Sequence, residues 1–299
     1  MSATAIGLIL ISTLLHASWN SIGKKSGTSI SFYMWATAFG MLIFSPLLLD
    51  VWQDVLNMPE PFWWLILASG ICQTVYLVGL AKAYQGGDLG IVYPLARALP
   101  VLIVPLLVLG AYGHSLLSIE DIAAMLLIFT GAMILPIRRW REWHWRAYMT
   151  PAVGWAIVAA LGTAGYSFTD SAAVHLMREQ GFTAFQAGSA FAVVQAGGIV
   201  LCMLPVSLLL FKESLFGSVF NRPGAIRSVA MTGLFIVGTY LLVLISMSMV
   251  TEVSYVVALR QLSIPIGVAI GVFWLKETLS INRMQGMTLM LIGLVFVSL

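Results

Sequence analysis

Apolar windows of about 20 residues recur along the chain and are separated by short polar segments. A helix of about that length crosses the hydrocarbon core of a bilayer. The windows fall at 3–23, 30–49, 61–84, 88–110, 119–137, 151–176, 184–211, 227–249, 252–275 and 281–299. Barrel strands would alternate apolar and polar residues, and segments such as 201–210 do not. The pattern predicts an all-α membrane protein with ten transmembrane helices.

Charged residues are too scarce to cover a soluble particle of 299 residues. They make up 9% of the chain, whereas soluble domains carry roughly 25%. This composition excludes a soluble enzyme, a disordered chain and a nucleic-acid binder. Cys72 and Cys202 both lie in apolar stretches, which is typical of buried thiols rather than of a disulfide or metal site. The sequence has no GxxxxGK[ST], HExxH or GxSxG motif, so we expect no cofactor, no metal and no enzymatic activity.

The basic residues are unevenly distributed between alternate loops. Twelve of the 15 lie in one set of loops, and Arg178 is alone in the other. Short loops rich in Lys and Arg stay in the cytoplasm, so this asymmetry predicts both termini on the non-cytoplasmic side. The loop at 138–150 alternates Arg with Trp. We interpret it as a cytoplasmic anchor at the headgroup level rather than a nucleic-acid patch.

The chain resembles itself at an offset of 162 residues. The Leu-Ser-Ile segment at 117–119 matches that at 279–281, and Tyr93 matches Tyr255. The match predicts two repeats of five helices, at 1–137 and 151–299, joined by the loop at 138–150. Since each repeat crosses the membrane an odd number of times, the second is inverted relative to the first. Inverted repeats are typical of alternating-access transporters.

Two arginines lie inside predicted spans, Arg97 in the fourth and Arg260 in the ninth. An arginine at the bilayer centre costs about 2.5–3.5 kcal/mol on insertion scales, so it faces protein or a wet cavity. Pro100 frees the carbonyl immediately before Arg97, and Pro265 frees the carbonyl immediately after Arg260. Cations beside interrupted helices indicate a transport site.

The two arginines are suited to a carboxylate or phosphoryl group. Tyr93 shares the face of Arg97, and Tyr255 shares that of Arg260 only if the helix is distorted. Alternatively, each arginine pairs with an acid such as Asp170 and ties helices together.

Further polar residues lie in the first and sixth spans. His16 and Asn20 share a face, with Trp19 beside them, and Tyr166 and Asp170 repeat that spacing. His16 and Asp170 are candidates for carrying a coupling proton, unless they only hydrogen-bond to neighbouring helices. Intramembrane Tyr and Gln line cavities or join helices. The predicted substrate-binding residues are Arg97, Arg260, Tyr93, Tyr255, His16, Trp19, Asn20, Tyr76 and Gln261.

Three segments resemble the EamA-like family of the drug/metabolite transporter superfamily. They are Leu-His-Ala-Ser-Trp-Asn at 15–20, the Gly-rich segment at 83–94 and Trp-Leu-Lys-Glu-Thr-Leu at 274–279. The resemblance covers nearly the whole chain, although the first repeat lacks the acid of the third segment. It implies ten helices in two inverted halves, a bacterial inner membrane, and export or exchange of small metabolites. Many members are drawn with both termini in the cytoplasm, opposite to the orientation that the loop charges predict.

Together these features predict a secondary transporter, an exporter or exchanger of a small anionic or zwitterionic metabolite such as an amino acid or organic acid. Its partners would be that substrate and the lipid bilayer, with no nucleic acid, and it would be a monomer or homodimer. The alternatives are a lipid-precursor flippase and an intramembrane enzyme that uses Asp170 or His16.

Overall fold

The computed structural model describes residues 2–26, 29–86, 89–114, 116–137, 141, 149–221, 224–273 and 280–298. Side chains are described for these residues except 17–26, 85–86, 89–91, 218, 267 and 270–273. Of the residues that the structure describes, 85% are helical and none lies in a strand. Its helices are α1 (Ala3–Ser26), α2 (Ile30–Phe44), α3 (Trp52–Leu56), α4 (Glu60–Gly86), α5 (Leu89–Ala98), α6 (Pro100–Tyr112), α7 (Ile119–Ile134), α8 (Pro151–Glu179), α9 (Ala184–Pro205), α10 (Gly217–Phe220), α11 (Ala225–Met247), α12 (Val253–Leu259), α13 (Ser263–Phe273) and α14 (Ile281–Ser298).

Each of the ten predicted windows contains helix. Among the described residues, seven segments are long and apolar enough to cross a membrane. They are Ile30–Leu48, Glu60–Tyr84, Val92–Tyr112, Pro151–Glu179, Ala184–Leu210, Ala225–Met247 and Ile281–Ser298. Shorter apolar helices at Ala3–His16 and Val253–Ile266 occupy two further windows, and α7 occupies the one that remains, at 119–137. The prediction of an all-α protein with several helices able to span a membrane is confirmed; ten crossings stay a prediction.

The chain forms two compact units. Unit 1 comprises Val75–Ala164 and Glu252–Leu299, and unit 2 comprises Ser2–Thr74 and Gly165–Thr251. Each unit therefore takes helices from both halves of the sequence, and α4 and α8 contribute residues to both units. The predicted repeats, 1–137 and 151–299, are a division of the sequence that differs from this division into compact units. Most of the loop at 138–150, all of 274–279, and Gly87 and Asp88 lie outside the described residues.

In unit 1, α7 and α14 approach each other through small residues. A Cβ atom on Gly131 would lie 2.5 Å from the carbonyl oxygen of Gly286, and one on Gly286 would lie 2.7 Å from that of Gly131. A Cβ atom on Gly293 would lie 2.5 Å from the carbonyl oxygen of Ala124. Backbones that pack this closely are typical of transmembrane helix pairs, which lack a hydrophobic driving force between helices and rely on small residues at the contact.

Unit 2 uses the same kind of contact at two helix pairs. A Cβ atom on Gly40 of α2 would lie 2.5 Å from the carbonyl oxygen of Gly233 on α11. A Cβ atom on Gly70 of α4 would lie 2.9 Å from the carbonyl oxygen of Gly198 on α9. These contacts hold α2 close to α11 and α4 close to α9, so polar side chains of each pair can reach one another.

Candidate functional site

Two predicted spans are interrupted within unit 1, and each interruption lies beside a predicted arginine. Helix α5 ends at Ala98 and α6 begins at Pro100, while α12 is followed by a 3₁₀ turn at Arg260–Leu262 before α13 begins. Pro100 and Pro265 favour these changes because proline has no N–H to donate and its ring crowds the carbonyl four residues earlier. The interruptions predicted from the two prolines are therefore confirmed. Pro94 and Pro105, by contrast, lie inside α5 and α6 without ending them.

The side chain of Arg97 joins one interruption to the other. Arg97 lies in the last turn of α5 and is 8% exposed. Its Nη2 donates hydrogen bonds to the carbonyl oxygen of Arg260, at 3.3 Å, and to Oγ of Ser263, at 2.8 Å. Oγ of Ser263 in turn donates to the same carbonyl, at 2.9 Å. Arg97 thus stabilises the backbone carbonyl at the break in the ninth predicted span.

The guanidinium of Arg97 keeps capacity for a further acceptor. Both of its acceptors described above are neutral oxygens, and its buried Nε has no hydrogen-bond acceptor among the described residues. A guanidinium stays charged in proteins and offers five N–H donors in a planar fork. A buried cation whose partners are neutral favours the binding of an anion, because a carboxylate or phosphoryl group would supply both the opposite charge and the hydrogen-bond acceptors.

Tyr255 and Gln261 form hydrogen bonds elsewhere in unit 1. The hydroxyl of Tyr255 donates to Oδ2 of Asp121, at 2.9 Å. That carboxylate also accepts from the backbone N and Oγ of Ser118 in the capping box that begins α7. Nε2 of Gln261 donates to the carbonyl oxygen of Val257 in the preceding turn, at 2.9 Å. These bonds favour structural roles for both side chains.

Three more of the predicted residues belong to unit 1. Arg260 is 8% exposed, Tyr76 is buried, and Tyr93 is half-buried one turn before Arg97. Of the six predicted residues in this unit, the hydrogen bonds described above join Arg97 to Arg260 alone, and they do so through the Arg260 backbone.

The other predicted residues belong to unit 2. His16 is buried on α1. Trp19 and Asn20 lie in the same helix, and their side chains are outside the described residues. Asp170 lies on α8 and is fully buried, with 0% exposure. The proposed proton-coupling residues are therefore both in this unit.

Asp170 is the centre of a buried hydrogen-bonded group. Its Oδ2 accepts from Nε2 of Gln195 on α9, at 2.6 Å, and from the hydroxyl of Tyr240 on α11. Nε2 of Gln195 also donates to Oγ of Ser69 on α4, at 2.8 Å. The ring of Tyr166 packs edge-on against that of Tyr240, with centroids 5.6 Å apart. We call Ser69, Asp170, Gln195 and Tyr240 the Asp170 cluster.

Sequence reasoning missed Ser263, Tyr240, Ser69 and Asp121 as partners of the predicted residues. Hydroxyl residues are common in membrane helices, so neither serine carries a signal beyond being polar in an apolar span. The Ser-x-x-Asp spacing of Ser118 and Asp121 does resemble a helix-starting box. Among the described residues, no group of three or more His, Cys, Asp or Glu is placed to hold a metal ion.

Comparison with known proteins shows a shared fold. Neither a family model nor a curated protein matches the chain. Twenty-eight chains of solved structures match it. One of them, described only as "Crystal structure of protein", is similar over 99% of this chain and 96% of that chain, with 17% sequence identity and a TM-score of 0.71. At this identity the likeness shows that the two chains share a fold and nothing further.

Proposed function

We propose that the protein is a secondary transporter of a small anionic or zwitterionic metabolite, such as an amino acid or organic acid. The observation that carries the proposal is the buried Arg97 at the interrupted helices of unit 1. Its described acceptors are neutral and its Nε has none among the described residues. A membrane protein bears the cost of such a cation where it binds a substrate of opposite charge. Interrupted helices beside that cation are typical of transport sites.

The packing of α7 against α14 supports a repeat in which the two halves are inverted. At the offset of 162 residues, Ala124 corresponds to Gly286 and Gly131 corresponds to Gly293. Replacing each residue by its counterpart in the other half therefore turns the contact between Gly131 and Gly286 into the contact between Gly293 and Ala124. Two helices related by a two-fold axis produce such a pair of contacts. Alternating access by inverted repeats is the mechanism that this arrangement favours.

We further propose export or exchange across the bacterial inner membrane, with both termini on the non-cytoplasmic side. The orientation rests on the excess of Lys and Arg in one set of loops. The bacterial inner membrane and the direction of transport rest on the resemblance to EamA-like transporters. Solute would cross without chemical change, so recovery of the unaltered compound distinguishes a transporter from an intramembrane enzyme.

The proposal is tested by transport into proteoliposomes. Vesicles that hold the purified protein would receive a panel of labelled amino acids and organic acids, and the captured solute would be identified chemically. We expect uptake of anionic or zwitterionic members, and a loss of at least about tenfold in the Arg97→Lys variant, because lysine lacks the planar fork of donors. Arg227→Lys is the matched control, since Arg227 is exposed at the start of α11.

Two results would contradict the proposal. One is uptake by Arg97→Lys at the wild-type rate. The other is wild-type protein that moves no member of the panel faster than protein-free vesicles do. Size-exclusion profiles and thermal unfolding of each variant would establish that a loss of transport is not a loss of folding.

A further inference from the structure

Asp170 belongs to unit 2, and the proposed substrate binding by Arg97 in unit 1 does not use it. The carboxyl group is fully buried within a helix able to span a membrane. A carboxyl group in such a place is costly as an ion and is retained where it has a function or is well hydrogen-bonded. Here both described donors, Gln195 and Tyr240, bind the same oxygen, Oδ2.

The hydrogen bonds of the Asp170 cluster come from four different helices. Asp170 is on α8, Gln195 on α9 and Tyr240 on α11, while Gln195 is held by Ser69 on α4. The two hydrogen bonds to Oδ2 therefore depend on the present positions of α8, α9 and α11. A movement that separates α9 or α11 from α8 would break one of these hydrogen bonds to the carboxyl group.

A second buried polar group lies one turn from Asp170. Ser167 is fully buried, and its hydroxyl has no hydrogen-bond partner among the described residues. Residues three apart on a helix share a face, so Ser167 and Asp170 lie on the same side of α8. A buried hydroxyl without a partner costs about 1–3 kcal/mol, which a water molecule or a protonated carboxyl group nearby would offset.

Polar side chains from several helices surround the Asp170 carboxyl group. Cys72 on α4 lies within electrostatic range of it. On α11 the facing group is Tyr240, and on α8 it is Tyr166, whose ring contacts Tyr240. On α9 it is Gln195, which does not titrate.

We propose that Asp170 is a proton-binding site that couples the transport cycle to a proton gradient. A hydronium ion transfers one proton to the carboxylate and leaves as water; on the other side of the membrane the carboxyl returns that proton to water. In the structure described here the site is closed to solvent, so a bound proton is occluded until α9 or α11 moves. The proposal rests on the proposed transport function and adds the coupling ion to it.

The test separates coupling from transport in proteoliposomes. Exchange of labelled for unlabelled substrate at equal pH reports transport alone. Accumulation driven by an imposed pH gradient, with proton flux followed by a trapped pH dye, reports coupling. We expect Asp170→Asn to retain exchange within about threefold and to lose at least about tenfold of the gradient-driven accumulation and of the substrate-dependent proton flux. Asp54→Asn, in the exposed helix α3, is the matched control and should retain both.

A second variant keeps the proposal testable if Asp170→Asn fails to fold. Tyr240→Phe removes one donor and leaves the carboxyl group, so we expect it to shift the pH at which transport is half-maximal. A purely structural carboxylate would leave that pH unchanged.

The outcomes are distinguishable. Three results would overturn the proton site while exchange persists. Asp170→Asn could accumulate substrate at the wild-type level, or the wild type could fail to respond to a pH gradient. A sodium gradient could also drive accumulation in place of the pH gradient. Absence of wild-type exchange would instead overturn the transport function itself.

Discussion

Replacing Gly131 by Ala tests whether the close approach of α7 and α14 is required for stability. A Cβ atom at this position would lie 2.5 Å from the carbonyl oxygen of Gly286, and 2.7 Å and 2.8 Å from Cγ and N of Met290. Two of these three atoms belong to the backbone of α14, so a rotamer change cannot relieve the overlap. The helices would have to move apart along the contact.

The expected cost follows from two opposing terms. Overpacking a tightly packed site costs about 1–3 kcal/mol, whereas replacing glycine by alanine inside a helix gains about 0.5–1 kcal/mol. Gly154 of α8 provides the matched control, because a Cβ atom there would meet nothing within 4 Å. Gly154→Ala receives the gain without the overlap. The difference in free energy of unfolding between the two variants should therefore be about 1–3 kcal/mol, with Gly131→Ala the less stable.

The measurement is reversible unfolding by SDS in mixed lipid–detergent micelles, followed by circular dichroism at several SDS fractions. Wild type, Gly131→Ala and Gly154→Ala would be compared under identical conditions. The free energy of the unfolded state in the micelle is then nearly the same for all three and does not affect the differences between them. Stabilities of the two variants within about 0.5 kcal/mol of each other, the usual range for substitutions that touch nothing, would refute the reasoning. The contact would then be looser than the structure indicates.

Two further predictions concern a site residue and the orientation. Tyr255→Phe removes a hydrogen bond to Asp121, which keeps its two bonds from Ser118. The free energy of unfolding should fall by about 0.5–1.5 kcal/mol, while KM for the transported solute stays unchanged. A raised KM would instead show that Tyr255 contributes to substrate binding. Ser2→Cys, in a protein whose Cys72 and Cys202 are replaced by Ala, should react with a membrane-impermeant maleimide added outside intact cells; labelling only after the cells are opened would reverse the orientation.

The helices and their interruptions follow from properties that are local in the sequence. The length of an apolar span can be counted in the sequence, and a proline removes the hydrogen bond to the carbonyl four residues earlier in its own helix. Interruptions near Pro100 and Pro265 could therefore be predicted without knowing any tertiary contact, although Pro94 and Pro105 show that a proline does not always end its helix. The assignment of helices to compact units could not, because it depends on which helices pack together across the chain.

The small residues at the contact between α7 and α14 could be predicted from the sequence only in part. A contact as close as that between Gly131 and Gly286 restricts both positions to small residues, and Gly293 opposite Ala124 is under the same restriction. The sequence match at the offset of 162 residues includes Gly131 and Gly293, whereas Ala124 and Gly286 differ. The contact requires small residues, and alanine is accommodated at position 124 opposite Gly293. A search for identical residues therefore misses the second pair.

Arg97 shows where sequence reasoning ends. Burial of a cation inside an apolar span predicts that the cation has partners, because an unpaired ion there is too costly. The obvious candidates were acids, since opposite charges are easy to recognise in a sequence. The acceptors that the structure provides are a backbone carbonyl and a serine hydroxyl, 163 and 166 residues away in the chain. Every residue carries a carbonyl, so only the break at Arg260–Leu262, brought against α5 by the fold, determines which carbonyl Arg97 stabilises.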